Sequence, residues 1–177
     1  TETDPNNEDS DGDLLTDGDE NNTYGTDPNN WDTDGDTLSD YAEIITHSTN
    51  PNSDDTDSDG VKDGLEVNDY ISDPNDNDTD DDGLEDGVEA NDYGTSLTSS
   101  DTDSDGVGDY DEINTYETNP INSDTDGDGL TDGNEIFTHG TNPSNSDTDE
   151  DGLNDGLEIF IESNPLNIDT DSDGLND

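Results

Sequence analysis

Asp124-Thr-Asp-Gly-Asp-Gly-Leu-Thr-Asp-Gly-Asn-Glu-Ile-Phe-Thr-His-Gly-Thr-Asn-Pro-Ser-Asn-Ser146 is one of eight in-phase copies of an acidic pattern that opens at Asp9, Asp32, Asp55, Asp78, Asp101, Asp124, Asp147 and Asp169. The step is 23 residues each time except the last, which is 22. Counted from each opening residue, Asp stands in slots one, three, five and nine, an apolar residue in slot seven, and Glu in slot twelve. The cut-off eighth copy ends at slot nine, and none of the 39 slot carboxylates is substituted. Alternating carboxylates closed by a Glu form a ligand set for a hard divalent cation, above all calcium.

Composition narrows the options in the same direction. The chain has 177 residues, 55 of them acidic and one basic (Lys62), for a net charge of −54, and 20% are hydrophobic. So little apolar surface cannot offset backbone ordering at roughly 1–2 kcal/mol per residue, and one globular core is excluded. A 20–50-residue period instead marks stacked units that bury small surfaces against neighbours. Cations supply the remaining cohesion by neutralising and cross-linking the carboxylates; without them self-repulsion expands the chain. A halophile surface or a solvated acidic tail would scatter its charge, whereas 39 of 55 acidic residues here keep register. There is no cysteine, so no disulfide staples the units. Nor is there an apolar run able to span a membrane, or a signal-peptide pattern at the start.

The first twelve residues of a copy match D-x-[DN]-x-[DN]-G-x5-E, in which slot seven offers its backbone carbonyl and slot twelve both carboxylate oxygens. The candidate metal ligands are therefore Asp9, Asp11, Asp13, Leu15, Asp17 and Glu20 in the first copy, and Asp32, Asp34, Asp36, Leu38, Asp40 and Glu43 in the second. Asp55, Asp57, Asp59, Val61, Asp63 and Glu66 follow, then Asp78, Asp80, Asp82, Leu84, Asp86 and Glu89. The fifth and sixth copies supply Asp101, Asp103, Asp105, Val107, Asp109 and Glu112, then Asp124, Asp126, Asp128, Leu130, Asp132 and Glu135. Asp147, Asp149, Asp151, Leu153, Asp155 and Glu158 make the seventh, and Asp169, Asp171, Asp173, Leu175 and Asp177 the eighth.

Slot six is Gly in six copies, which lets the loop fold back over an ion, but Leu14 and Thr37 stand there in the first two, where a different geometry or affinity is expected. The apolar residues of slot seven, with Ile44, Val67, Ala90, Ile113, Ile136 and Ile159 in slot thirteen, read as small plugs between units. Slots nine to fifteen predict one or two helical turns. Slot sixteen holds Tyr24, His47, Tyr70, Tyr93, Tyr116 and His139, so the histidines, standing where tyrosines stand elsewhere, read as packing or hydrogen-bonding residues rather than metal ligands or acid–base groups. Pro5, Pro28, Pro51, Pro74, Pro120 and Pro143 occupy slot twenty, Leu97 replaces one proline, and Pro165 comes one place early in the short copy; each Asx-Pro predicts a turn. Only 11 residues separate Glu135 from Asp147, too few for the helices of a paired EF-hand.

The run Asp-Thr-Asp-Gly-Asp-Gly-Leu-Thr-Asp-Gly-Asn-Glu, followed by Thr-Asn-Pro and another Asp-Thr-Asp, resembles the thrombospondin type 3 repeat, in the bacterial and archaeal form of about this length. The resemblance covers essentially the whole chain. It implies units with little regular structure wrapped around a line of calcium ions, often two per unit, held by the motif aspartates and backbone carbonyls. Applied by slot, the ions lie on slots one, three, five, seven, nine and twelve of each copy. The cysteines that staple neighbouring units in the animal proteins are absent here, which makes dependence on calcium more complete.

The expected fold is thus mostly irregular: an elongated, calcium-stabilised tandem-repeat solenoid of 23-residue units with short helical turns and no central core. Residues 1–177 form a single array, expected to be a window on a longer one, since the sequence opens and closes mid-unit. No catalytic constellation and no phosphate loop appear, and a −54 chain repels nucleic acid and anionic membranes. The expected role is non-enzymatic: a rigid stalk, spacer or fibre segment outside the cell or at its surface, where about millimolar calcium loads even weak loops. The alternative is a calcium-dependent adhesin that engages a partner or glycan through slots 21 to 23; its one aromatic candidate, Trp31, is read as packing. Identical chains stacking head to tail, and glycans on the Asn21 and Asn77 sequons, complete the expected partners.

Overall fold

The computed structural model describes residues 7–176; Pro5 and Asp177 lie outside that range. The described chain is turns and short helices, with no strand among those residues. Each of the first six copies makes one turn of α-helix that widens directly into a five-residue π-turn. These pairs are α1 (Asp17–Asp19) with Glu20–Tyr24, α2 (Asp40–Ala42) with Glu43–His47, and α3 (Asp63–Leu65) with Glu66–Tyr70. The next three are α4 (Asp86–Val88) with Glu89–Tyr93, α5 (Asp109–Asp111) with Glu112–Tyr116, and α6 (Asp132–Asn134) with Glu135–His139. The seventh copy instead forms one plain α-helix, α7 (Asp155–Ile161).

The missing residue of the seventh copy explains the difference. A π-turn is an α-helix with one residue inserted. In the 23-residue copies the N–H of slot 17 returns to the slot-twelve carbonyl five residues back, as from Gly25 to Glu20 at 2.7 Å and from Gly140 to Glu135 at 2.7 Å. In the 22-residue copy Glu162 caps Glu158 and Ile159 instead, and the following residue, Ser163, takes up the return to Glu158 at 2.9 Å. In every described copy the residue after the helical turn is left-handed, which stops the helix. Gly25, Gly94 and Gly140 do this without strain, whereas Ser48, Ile71, Glu117 and Glu162 are held at φ 57 to 66°.

Helix starts follow from slot eight, where the side chains of Thr16, Ser39, Thr131 and Asn154 accept from the N–H three residues on. The Asx-Pro turn then reverses the chain, with the N–H of slot 22 returning to the carbonyl of slot 19, as from Asn30 to Asp27 at 2.8 Å and from Ser53 to Asn50 at 2.9 Å. Leu97 makes the same turn without proline, through Ser99 and Ser96, and is one of the most buried side chains.

Two compact units emerge, Thr1–Asp92 and Tyr93–Asp177. Within the first, the N–H of slot ten reaches back to the slot-five carboxylate of the preceding copy: Tyr41 to Asp13 Oδ2 at 3.0 Å and Gly64 to Asp36 Oδ2 at 2.7 Å. The amides of Asn52 and Asn75 reach the carbonyls of Tyr24 and His47 across the same step. Within the second unit, Gly133 bonds Asp105 Oδ2 and Gly156 bonds Asp128 Oδ2, both at 2.7 Å.

Apolar packing is as thin as the composition requires. In slot seven, Leu15, Leu38, Val61, Leu84 and Val107 are buried, Leu130 and Leu153 half-buried, and Leu175 exposed. The six apolar residues of slot thirteen are half-buried. In slot sixteen Tyr24, His47, Tyr116 and His139 are half-buried, whereas Tyr70 and Tyr93 are about 40% exposed; Trp31, at 49%, is no core residue. The deepest positions belong to acids: Glu20, Glu43, Glu66, Glu89, Glu112, Glu135 and Glu158, with Asp40, Asp63, Asp86, Asp109, Asp132 and Asp155, have no exposed surface at all.

The slot-ten glycines show how tightly neighbours approach. A Cβ added to Gly133 would lie 2.3 Å from the Asp105 carbonyl oxygen, and one on Gly64 2.1 Å from that of Asp36. Gly18, in the first copy, would meet only the Thr16 hydroxyl at 3.7 Å. The same change should therefore have opposite signs. Gly18→Ala is expected to stabilise by a few tenths to about 1 kcal/mol through helix propensity, and Gly133→Ala to cost about 1–3 kcal/mol through overpacking. Thermal unfolding of both variants in excess calcium checks this.

Candidate metal centres

Each loop is shaped by its own carboxylates before any ion is considered. Slot one accepts the N–H groups of slots four and six: Gly12 at 2.7 Å and Leu14 at 3.2 Å on Asp9, Gly35 at 2.7 Å and Thr37 at 3.1 Å on Asp32, Gly127 at 2.8 Å and Gly129 at 3.1 Å on Asp124. Slot six is left-handed in all eight copies. Leu14 and Thr37 sit at φ 90°, against 91 to 107° for the glycines, so the altered geometry expected of the first two loops is not found. That conformation costs a non-glycine residue roughly 1–2 kcal/mol, held here by the carboxylate bond.

Slot three accepts the slot-five N–H through Oδ1, as Asp34 does from Asp36 at 3.3 Å. Slot five accepts the slot-seven N–H through Oδ1 (Leu38 to Asp36, 2.7 Å) and the next copy's slot-ten N–H through Oδ2. Slot nine is locked at both oxygens by the slot-two residue of its own copy. Thr56 donates its N–H to Asp63 Oδ1 at 2.7 Å and its hydroxyl to Oδ2 at 2.6 Å, and Ser10, Thr33, Thr79, Thr102, Thr125 and Thr148 repeat the clamp. Slot twelve receives a slot-18 hydroxyl on Oε1, from Thr26, Ser72, Thr118 and Thr141 at 3.1 to 3.2 Å. These slot-two and slot-18 hydroxyls are site residues that the carboxylate pattern does not single out. The recurrence of Thr or Ser in both slots was the available signal.

The carboxylates converge in two kinds of group, each with its oxygens within 4.8 Å. The first lies inside one loop and joins slots one, three and five: Asp9, Asp11 and Asp13; Asp32, Asp34 and Asp36; Asp55, Asp57 and Asp59. The second crosses the repeat boundary and joins slots five and twelve of one copy to slot nine of the next: Asp36, Glu43 and Asp63; Asp59, Glu66 and Asp86. In these boundary groups slot nine stands with slots five and twelve of the preceding copy. Asp17, with no described copy before it, is correspondingly only half-buried. In slot seven the N–H groups of Leu15, Leu38, Val61, Leu84, Val107, Leu130, Leu153 and Leu175 are all turned onto slot five. The eighth loop repeats the pattern at Asp169, half-buried, and at Asp171 and Asp173, both exposed, with Asp177 outside the described residues.

Electrostatics test whether these groups suit a cation. Each of these groups holds at least one side-chain oxygen buried without a hydrogen bond, and such oxygens recur along the chain: Asp11, Asp34, Asp57, Asp103 and Asp126 Oδ2 in slot three, and Glu20, Glu43, Glu66, Glu112, Glu135 and Glu158 Oε2 in slot twelve. A buried anionic oxygen left so is costly. Lys62, the one basic side chain, is spent on the half-exposed Asp54 at 2.6 Å, outside every group. Burial, reinforced by neighbouring aspartates, pushes Glu43, Glu66, Glu112 and Glu135 up to about 8, and Asp34, Asp57, Asp103 and Asp126 up to about 6. All-oxygen sets of aspartate and glutamate, each with an orphaned oxygen turned inward, fit calcium.

Comparison with known proteins agrees. The family model described as "Bacterial TSP3 repeat" matches residues 9–30, 32–53, 55–77, 78–95, 101–123, 124–146 and 147–168. No curated protein matches the chain. Among solved structures, "Biofilm associated protein - BSP domain" is 42% identical over 24% of this chain and 7% of its own, with a TM-score of 0.24. "Biofilm associated protein - B domain" is 40% identical over 25% of this chain and 11% of its own, with a TM-score of 0.25. The chain thus spans a small fraction of either. Seven consecutive matches across most of the sequence, on loops whose carboxylates converge as described, establish that this chain belongs to the bacterial thrombospondin type 3 repeat family of calcium-binding repeats.

Proposed function

We propose that the array is a calcium-rigidified spacer, a stalk or fibre segment working outside the cell or at its surface. The observation that carries this reading is the boundary-crossing group, in which slots five and twelve of one copy meet slot nine of the next. A cation bound there ties adjacent repeats together as well as filling one of them. Loading then stiffens the chain along its length, which a buffer or an enzyme would not require. The intra-loop group folds each unit and the boundary group fixes it to its neighbour, so two ions per repeat serve two mechanical ends. No described helix is long and apolar enough to cross a membrane.

The test is small-angle scattering of the whole chain in calcium and in EDTA. Chelation at pH 8 should raise the radius of gyration towards that of an unfolded chain. An unchanged radius would refute the spacer. Calorimetric titration should count at least one calcium per complete loop.

Acid should partly replace calcium. Burial pushes Glu43, Glu66, Glu112 and Glu135 of slot twelve from their ordinary 4.5 up to about 8, so protons favour the compact form of the cation-free chain. That contribution is complete below about pH 4.5 and is lost as pH rises through 8. In EDTA the chain should therefore contract on acidification from pH 8 to 5. In calcium the sign reverses: protons compete for the same oxygens, so affinity falls over this range and binding releases protons. Titration in two buffers of different ionisation enthalpy measures the release.

Asp63→Ala separates the two kinds of group. It removes the slot-nine ligand contributed to the second copy's boundary group and strands the Thr56 N–H, at about 1–3 kcal/mol. Asp55, Asp57 and Asp59 stay intact, so the expected result is the loss of one calcium and new protease cutting near the junction of copies two and three. Loss of the third copy's own loop ion would instead assign slot nine to its own copy.

A further inference from the structure

With the 39 slot carboxylates neutralised by cations, the remaining 16 acidic residues decide where the chain stays charged. Six of them, Asp69, Asp73, Asp76, Asp81, Glu85 and Asp92, crowd residues 69–92. Residues 118–149 hold none, and 150–176 hold only Glu150 and Glu162. This bare region also holds both phenylalanines of the chain, and both are exposed, Phe137 at 64% and Phe160 at 82%.

Both phenylalanines occupy slot 14, two residues after the closing Glu of consecutive copies, so the repeat places them on one lateral face. Slot 14 is Asn in four other copies, where its amide donates to the slot-ten carbonyl: Asn22 to Gly18 at 2.6 Å, Asn68 to Gly64 and Asn91 to Gly87 at 2.7 Å, and Asn114 to Tyr110 at 2.9 Å. Phenylalanine gives up that bond and presents a ring to solvent. Stacking does not cover the slot, because Phe137 has a copy on either side and is still 64% exposed. Leu157 lies one helical turn before Phe160, and Ile161 follows it; both are exposed. Leu166 Cδ1 comes within 3.9 Å of where a Gly140 Cβ would stand, against the cap of the turn that carries Phe137. Together these five side chains expose about 550 Å² of apolar surface, taking ~200 Å² for a phenyl side chain, against ~800 Å² per partner in a standard interface.

We propose that this face of copies six and seven docks, side by side, on the same face of a second copy of the chain. Charge selects that occupant. Two chains of like sign repel wherever their surplus acids meet, as residues 69–92 would. A twofold axis sets the bare stretch against itself, with Glu150 and Glu162 as its two surplus acids, and pairs rings with rings. The association is lateral and follows calcium loading, since the slot charges must first be neutralised.

Sedimentation velocity on the calcium-loaded chain over a concentration series tests this. The wild type should show a monomer–dimer equilibrium, and Phe137→Asn/Phe160→Asn should weaken dimerisation at least about tenfold. Asparagine is the residue of four sibling copies, so calcium stoichiometry and circular dichroism should match the wild type. If the double variant binds less calcium, Phe160→Asn alone is used. Moving the rings with Asn68→Phe/Asn91→Phe in the double variant should not restore the dimer, because six surplus acids surround them. A wild type that stays monomeric, a variant that dimerises equally well, or a dimer regained by the transplant would each overturn the proposal.

Discussion

Everything in this protein depends on concentrated negative charge where a fold normally keeps its apolar core. Three carboxylate oxygens within 4.8 Å of one another make three like-charge pairs, each worth about 3 kcal/mol of repulsion at an effective dielectric of 20. One group thus opposes folding by an amount comparable with the whole stability of an ordinary domain. Slot-seven leucines and valines, one small plug per repeat, cannot offset that. A dication can, because it turns each repulsive triad into an attractive centre and takes up the oxygens that hydrogen bonding leaves over.

The division of those oxygens explains how order spreads. Slot five is the hinge of the design. One side-chain oxygen of Asp36 fixes its own loop through Leu38, the other receives Gly64 of the next copy, and the residue belongs to both kinds of group. The slot-two clamp holds slot nine with both oxygens satisfied before a cation arrives, so the next copy presents a preformed ligand to the one before. No copy carries a complete boundary set by itself, which makes each repeat's stability conditional on its neighbour, the regime of one-dimensional arrays.

Much of this is legible in the sequence, for a physical reason. Ligand type and spacing inside a twelve-residue loop are local, so Asp32, Asp34 and Asp36 declare their group by register alone. The partnership of Glu43 with Asp63 is not local: it depends on how copies stack, and spacing assigned Asp63 to its own loop. Nor does anything beside the slot-ten glycines Gly64 and Gly133 mark the close carbonyls of Asp36 and Asp105, because those lie a full repeat and more earlier in the chain. The doubt over Leu14 and Thr37 failed differently. Side-chain preference argued against a left-handed residue there, but the slot-one carboxylate captures the slot-six N–H in those copies too, and a charge-assisted bond outweighs the preference. The π-turns were invisible for a simpler reason, since six copies of equal length offer no contrast; the short copy supplies it.

That short copy also shows where the repeat can change. Its missing residue falls after slot twelve, beyond the last ligand, and the π-turn relaxes to α-helix to absorb it. The return contacts survive the shift: Ser163 still reaches the Glu158 carboxylate at 3.4 Å, and the Asn164 N–H still meets the Thr170 hydroxyl at 2.9 Å, as Asn142 meets Thr148. Slots one to twelve are bound by cation geometry and cannot drift. Slots thirteen to twenty-three need only bring the chain back in phase, so their outward residues are free to differ from copy to copy. Asparagine at slot 14 closes a helix carbonyl, and phenylalanine at the same place faces solvent with the ligands undisturbed. An array built this way keeps its stiffness in one half of each repeat and can acquire surface specificity in the other, one copy at a time.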